Sequence, residues 1–570
     1  MKKKLLVFLL VLVMLFSLLA GCAKDEATPD GTSSKTSSES TEEREDITLT
    51  ILMHGGASVS GIQDDPVTKY VQEKLGITMD VISDNGMDVD ATLNAMIASD
   101  DLPDIVVAQF DRHANLLVEA DAVLPLDDLL ETYGQNIVGS EAGAKALFLQ
   151  QNYSAVGSGT DATYFVPVLV GLNYISGFPQ VAPYIRWDVY EQIGAPEVKD
   201  FDDLLNVLKQ MQDACPQTDA GKKVYAISGG LADGAWNNWT LTAIEAAIGW
   251  RRLHNSGLNY ASVADPTIMV NGFEGEDAPV WRLFRWFNKA YQMGILDPEA
   301  ATMKFDQWSE KISGGQVLYA PFGQATFSAT GMIENSADKY FMPLPFESYE
   351  NDSFTAYYGG DSALCQYAIS KNCEHPERAM ELLNFIWSEE GAYLFANGTP
   401  QGDGWDIIDG EAQLKPEYIA GREDGSIEPP LFASFIGTYV NPNTGTPYNL
   451  MNTDKYYAEY MADEHTQAYC EKYGVDSPLE IYDQVEHNLW PNYELFMPIM
   501  EGELLDKANA LNEYCLTNLT KMVFAESDEE FEAMRQEFMS DIKEMGSDEV
   551  FAFMSEGYGA NIADYLANFD

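Results

Sequence analysis

Two tryptophans flank two amides in Trp236-Asn237-Asn238-Trp239, the densest group in this chain suited to holding a polar, ring-shaped solute. A pyranose face stacks on an aromatic ring while its hydroxyls exchange hydrogen bonds with amides, so Trp236, Asn237 and Trp239 are candidate contacts. The same rings would also serve as packing in a core or at its rim, and both readings stand. A second group, Phe110-Asp111-Arg112-His113, follows directly on the apolar run Ile105-Val106-Val107-Ala108. A run apolar at every residue reads as a parallel strand covered on both faces, and ligands bind just beyond the carboxyl ends of such strands. Phe110 and Asp111 are therefore candidates as well. His54 opens His54-Gly55-Gly56-Ala57-Ser58 after the alternating run Ile47–Met53, where glycine lets backbone approach a ligand closely.

Groups that make and break bonds are not arranged in any recognisable pattern. No Ser-His-Asp order, HExxH or phosphate-cradling glycine motif stands out. A glycosidase needs two carboxylates about 5–10 Å apart, and 90 acidic residues supply such pairs by chance. No cysteines show CxxC spacing, so no zinc site is expected. No cofactor and no catalytic residue are assigned.

The elements that would position these groups can be read in order. Leu93, Met96 and Ile97 mark one face of a helix that Asp100-Asp101 and Pro103 stop. An earlier helix ends at Gly76, and Ile77–Ile82 is a further strand. Together these make β-α-β-α-β, a parallel sheet with right-handed crossovers. Phe201, Leu204, Leu205, Leu208 and Met211 form one later helical face, and Phe531, Met534, Phe538, Met539, Ile542 and Met545 another.

At 570 residues the chain exceeds a single core, so two lobes are expected. Lys+Arg 33 against Asp+Glu 90 gives a net charge of −57. That argues strongly against nucleic acid, which requires a basic footprint, and disfavours direct adhesion to an anionic membrane. A neutral or cationic ligand suits it, although the acidity would by itself keep a secreted protein soluble.

At the amino end, Lys2-Lys3-Lys4 precede an apolar stretch, Leu5 to Ala20, that is short for a membrane span. Leu19-Ala20-Gly21-Cys22 resembles the bacterial lipobox, which implies cleavage after residue 21 and acylation of Cys22. Loss of three lysines takes the charge to −60 from −57. Residues 23–46 are almost free of apolar side chains and read as a flexible tether. Cys215, Cys365, Cys373, Cys470 and Cys515 then remain, an odd number, best read as small buried apolar residues.

Several collinear stretches between 47 and 410 resemble the extracellular solute-binding proteins of ABC importers, closest to the Gram-positive lipoproteins that serve oligosaccharide uptake. They begin with Ala98-Ser99-Asp100-Asp101-Leu102-Pro103-Asp104-Ile105-Val106-Val107, Leu124-Pro125-Leu126-Asp127-Asp128-Leu129-Leu130 and Tyr184-Ile185-Arg186-Trp187-Asp188. Gly294-Ile295-Leu296-Asp297-Pro298-Glu299, Pro376-Glu377-Arg378-Ala379-Met380 and Gly402-Asp403-Gly404-Trp405 continue the series. The resemblance implies a two-lobed, periplasmic-binding-protein-like (type II) α/β fold, each lobe a mostly parallel sheet flanked by helices, with hinge crossovers. It divides the chain into 1–21 signal peptide, 22–46 tether, 47–165 with 360–415 as one lobe, and 166–359 with 416–570 as the other. It adds Trp187, Phe322, Tyr357, Asp361 and Trp405 as ligand contacts, with Tyr357 to Asp361 near a hinge where glycines absorb rotation. Many relatives carry a calcium loop near Asp213–Val224, but DACPQTDAGKKV lacks the alternating oxygen ligands that calcium needs. The implied role is a monomeric, lipid-anchored protein on the outer face of the membrane that passes an oligosaccharide to permease subunits. A glycan-processing enzyme and a binder of peptides or another polar solute are the alternatives.

Overall fold

A computed structural model describes residues 45–53, 60–83, 89–153, 162–168, 170–173, 183–229, 241, 244–245, 248–253, 256–321, 333–336, 338–344, 353–357, 365–400, 404–408, 411–423, 425–436, 439–453, 456, 464–478, 480–482, 486–490 and 496–569. Cys22 and nearly all of the tether lie outside these residues. The first sheet starts with strand β1 (Ile47–Met53), edge strand β2 (Gly61–Ile62), helix α1 (Pro66–Leu75) and strand β3 (Ile77–Ser83). Helix α2 (Val89–Ser99), strand β4 (Ile105–Gln109) and helix α3 (Phe110–Glu119) follow. Asp65 caps α1 by accepting from the Val67 amide at 2.9 Å, Pro66 sits at the first turn, and Gly76 closes it with φ 66°.

β1 is parallel to both β3 and β4, and Met53 lies opposite Ser83 and Val107, so the three carboxyl ends fall together. Asp104 explains why Leu-Pro-Asp precedes β4. Its carboxylate accepts from the Thr50 amide at 2.8 Å and the Thr50 hydroxyl at 2.7 Å, fastening the start of β4 to β1. Strand β5 (Val166–Pro167) and the late strand Cys365–Ile369 complete a sheet ordered β2-β3-β1-β4-(365–369)-β5. One sheet face buries Ile51, Ile105, Val107 and Tyr367 under helices Pro376–Ile386 and Glu389–Asn397. The other face buries Leu52, Val106, Ala108 and Ala368.

The second sheet is built from β6 (Tyr184–Arg186), β7 (Tyr225–Ile227), β8 (Val317–Ala320) and β9 (Phe341–Pro343), in the order β9-β6-β8-β7. Only β7 and β8 are parallel; β6 runs antiparallel to both of its neighbours. The sheet is therefore mixed, not mostly parallel. β6 enters and β9 leaves this lobe beside the crossings, and antiparallel neighbours need no helical crossover between them. Its core includes helices Phe201–Ala214 and Pro279–Gln292 and extends to residues of the last three helices.

The chain passes between the cores after Asn173, after Leu344 and again between Leu450 and Tyr469. The first and last crossings fall later than expected, since Val166, Val168 and Val170, and then Phe432, Ile436, Tyr448 and Leu450, pack in the first core. Buried Asn397 holds this segment there, donating to the Tyr448 carbonyl at 2.7 Å and accepting from the Leu450 amide at 2.8 Å. In the crossing after Leu344, β10 (Ser353–Tyr357) runs parallel to Glu486–Trp490, with Tyr357 opposite Trp490. β11 is the strand Cys365–Ile369 that then re-enters the first sheet.

The helix expected around Phe531 to Met545 spans Asp528–Glu544, and a further one, Ser547–Phe569, closes the chain. Its Val550 and Met554 belong to the second core, whereas Tyr558, Ile562 and Tyr565 join the cluster on Leu52 and Val106. Tyr558 also donates to the Pro266 carbonyl at 2.9 Å. Among the described residues no helix is long and apolar enough to cross a membrane.

Candidate ligand-binding site at the strand ends

In the first lobe the aligned ends of β1, β3 and β4 release the chain toward 54–59, 84–88 and α3. His54 lies outside the described residues. Phe110 and Asp111 form the first turn of α3, immediately at the end of β4, as a site beyond a parallel strand requires; their side chains are not described. Two residues overlooked in the sequence lie at this edge. Gln366 of β11 pairs with Ala108, next to the end of β4, and its Oε1 accepts from Gln150 Nε2 at 3.0 Å; both are buried. The one available signal was a glutamine inside the apolar strand Cys365-Gln366-Tyr367-Ala368-Ile369.

In the second lobe β7 and β8 end in register, Ile227 opposite Tyr319. The chain leaves β7 through Ser228-Gly229 and β8 through Pro321. Trp236, Asn237 and Trp239 follow the first exit and Phe322 the second, all outside the described residues. Beneath the exits lies a small cavity of about 10 Å³, lined by Ser228, Gly229, Ile244, Tyr319 and Pro321 among others. That is room for about one water.

The exit from β7 rests on a buried carboxylate. Asp297, 1% exposed, accepts from the Ser228 hydroxyl at 3.0 Å and from Lys311 Nζ at 2.6 Å, and its amide donates to the Ile227 carbonyl at 2.8 Å. Burial alone would lower the Lys311 pKa; hydrogen bonds to Asp297 and Glu299 raise it instead, so the ammonium is held charged. Where the chain returns, Leu241 and Ile244 enter the core and Glu245 is fully buried. Arg252 Nε donates to both of its oxygens, at 3.1 and 3.2 Å, and the Tyr260 hydroxyl donates to Oε1.

Trp187 is not at a ligand surface, and that expectation is corrected. It is 1% exposed, its ring centroid 4.7 Å from Tyr469 and 5.0 Å from Tyr190, with Lys472 Nζ 5.1 Å from the ring. It packs the second core, and Asp188, in the first turn of the following helix, pairs with Arg186 at 2.7 Å. Trp405 is half-buried against Tyr393, ring centroids 5.4 Å apart, and its indole N–H donates to the Gly398 carbonyl at 3.1 Å. Its donor is thus committed within the first lobe. Tyr357 ends β10 in the crossing between lobes; its side chain and all of Asp361 lie outside the described residues.

Residues 215–224 form a small hydrogen-bonded turn in which Gln217 bridges to Lys223, and Asp219 pairs with Lys339 at 2.7 Å. Among the described residues no group of three or more His, Cys, Asp or Glu could hold a metal ion. Cys373 and Cys515 are buried, Cys215 and Cys470 half-buried, and all four are unpaired.

The family profile of the bacterial extracellular solute-binding proteins matches residues 67–402, more than half of the chain. No curated protein sequence matches it. Among solved structures it is similar to an alginate-binding protein without calcium ion, at 16% identity and TM-score 0.58, over 90% of this chain and 98% of that one. An HMO-binding, ABC-transporter-associated solute-binding protein from Bifidobacterium longum infantis gives 15% identity and TM-score 0.57, over 90% and 98%. An ABC-transporter substrate-binding protein of S. pneumoniae in complex with kestose gives 15% and 0.57, over 92% and 100%. At these identities the likeness establishes the fold alone.

Proposed function

Since the chain belongs to the bacterial extracellular solute-binding proteins, we propose that it captures an oligosaccharide between its two lobes and hands it, unaltered, to the permease of an ABC importer. The observation that carries this reading is the in-register ending of β7 and β8 directly before the stretches that bear Trp236, Asn237, Trp239 and Phe322. Rings there supply stacking area and the amide supplies hydroxyl partners. His54, Phe110, Asp111, Tyr357 and Asp361 are the proposed contacts from the first lobe and the crossing. The fold likeness to proteins described as binding alginate, HMO and kestose supports an extended sugar as the solute class. Capture proceeds by hinge closure, driven by tighter binding to the closed than to the open form. Cys22, once acylated, holds the monomer at the outer face of the membrane on its tether.

A glycan array followed by calorimetry on the body from Asp46 onward tests the proposal. Saturable binding of an oligosaccharide that is recovered intact is the expected result. Cleavage of the sugar, or binding of peptides with no glycan bound, overturns it.

A further inference from the structure

The resemblance implies a calcium loop near 213–224 in many relatives, and the donors of this chain do not fit one. Calcium takes about six oxygens or more. Here Asp213 pairs with Lys209 of its own helix, and the carbonyls of Pro216, Thr218 and Lys222 accept from amides within the turn. What closes the turn is an ammonium. Lys339 Nζ lies 2.7 Å from the Asp219 carboxylate and also bonds that of Glu334, which in turn accepts from the Asp219 amide at 2.9 Å. Glu334 is held in this group at φ 51°, a left-handed conformation that a residue with a Cβ keeps only where its surroundings impose it. Gly315 makes the room, since a Cβ there would come within 2.8 Å of the Glu334 carboxylate. The side chains of Glu334 and Lys339 are only 11% and 18% exposed. Burial alone would lower the Lys339 pKa; the bonds to Asp219 and Glu334 raise it instead, so the charge is kept. β8 and β9 both run antiparallel to β6, and β7 runs with β8, so the amino ends of these three share the edge opposite the strand exits. The turn leads into β7 and Lys339 into β9, at the two sides of the sheet, with Gly315 just before β8.

We propose that Lys339 is the resident cation of this turn: its ammonium neutralises and joins Asp219 and Glu334 as a bound divalent ion would, so the second lobe keeps its shape without calcium. The inference does not depend on which solute is captured. An ammonium carried by the chain differs from a metal in one testable respect, which is that a chelator cannot remove it.

The test is amide hydrogen exchange of the full chain by mass spectrometry, in EDTA and in about 5 mM calcium. In wild type, exchange in 216–224 and 333–336 is expected to be the same in both. Lys339→Gln leaves two carboxylates facing each other with no cation between them. Exchange in both segments should then rise about tenfold in EDTA and fall back toward the wild-type rate when calcium is added. Residues 47–53 and 105–109 report any general effect of calcium on so acidic a chain, and should keep their rates. Wild-type exchange that rises in EDTA overturns the proposal, and so does a Lys339→Gln chain in which the two segments ignore calcium. Should Lys339→Gln not fold in EDTA, folding on addition of calcium supports the proposal, and failure to fold in calcium overturns it.

Discussion

Arg252 meets Glu245 inside the second core with no solvent between them: its Nε lies 3.1 and 3.2 Å from the two carboxylate oxygens, and the Tyr260 hydroxyl closes the group. Burial by itself would make the guanidinium easier to deprotonate, but Glu245 and Tyr260 reverse that and raise its pKa. Such a pair contributes little net stability against an apolar substitute, yet breaking it strands a charge.

Glu245→Gln should therefore destabilise the second lobe by about 3–5 kcal/mol, because Arg252 stays charged and loses its counter-ion. Urea unfolding measures this. Glu245→Met with Arg252→Met should recover most of the loss; a double variant as weak as the single one would rule out stranded charge as the cause.

Trp187 and the Trp236–Trp239 pair should separate cleanly. Trp187→Ala leaves a core cavity and should cost about 3–5 kcal/mol of stability, seen as a lowered thermal midpoint. Trp236→Ala or Trp239→Ala should weaken sugar binding by about 1–3 kcal/mol in calorimetry while the midpoint stays near wild type.

Thiol reactivity should follow burial. Burial pushes the Cys373 and Cys515 thiols up to about 12 and that of Cys470 to about 11, and it raises Cys215 as well. Since the thiolate is the reacting species, Ellman's reagent at about pH 8 should modify the half-buried Cys215 and Cys470 slowly. Cys373 and Cys515 should stay silent until denaturant is added, with peptide mapping to assign each site. Early modification of Cys515 would contradict the packing described for it.

Acid titration should expose one surface pair. Hydrogen bonds from Arg535, at 2.6 and 2.8 Å, lower the Glu532 pKa to about 2. A carboxylate lowered on folding contributes stability that is complete above its unfolded value, near about 4.3, and is lost as pH falls through about 2. Glu532 is partly exposed, so the contribution is under about 1 kcal/mol. The stability gap between wild type and Glu532→Gln should be flat above about pH 5 and close between about pH 4 and 2.

Local rules made much of the fold readable. Pro103 stopped α2, the apolar run at 105–108 marked β4, and Gly76 closed α1, because each signal acts within a few residues. Asp104, in a stretch singled out only by resemblance, reaches 54 residues back to Thr50. Long-range pairing hid the rest. Nothing near Glu245 sets it apart from the other acidic residues, and Ser228 finds Asp297 69 positions later. Trp187 looked available because its covers, Tyr469 and Lys472, lie far along the chain. The final helix, Ser547–Phe569, was not among the elements expected, and it carries Gly557 and Gly559 in its interior. Gly557 sits so close to Pro498 that a Cβ there would come within 2.4 Å of it, so the close approach explains the glycine.

That helix has a mechanical consequence. Val550 and Met554 root it in the second core, while Ile562 and Tyr565 belong to the cluster that also holds Leu52 and Val106 of the first sheet. Under the proposed hinge closure, the packing of its last turns in that cluster is either carried along or rearranged, so the carboxyl terminus bears on how far the two cores can rotate.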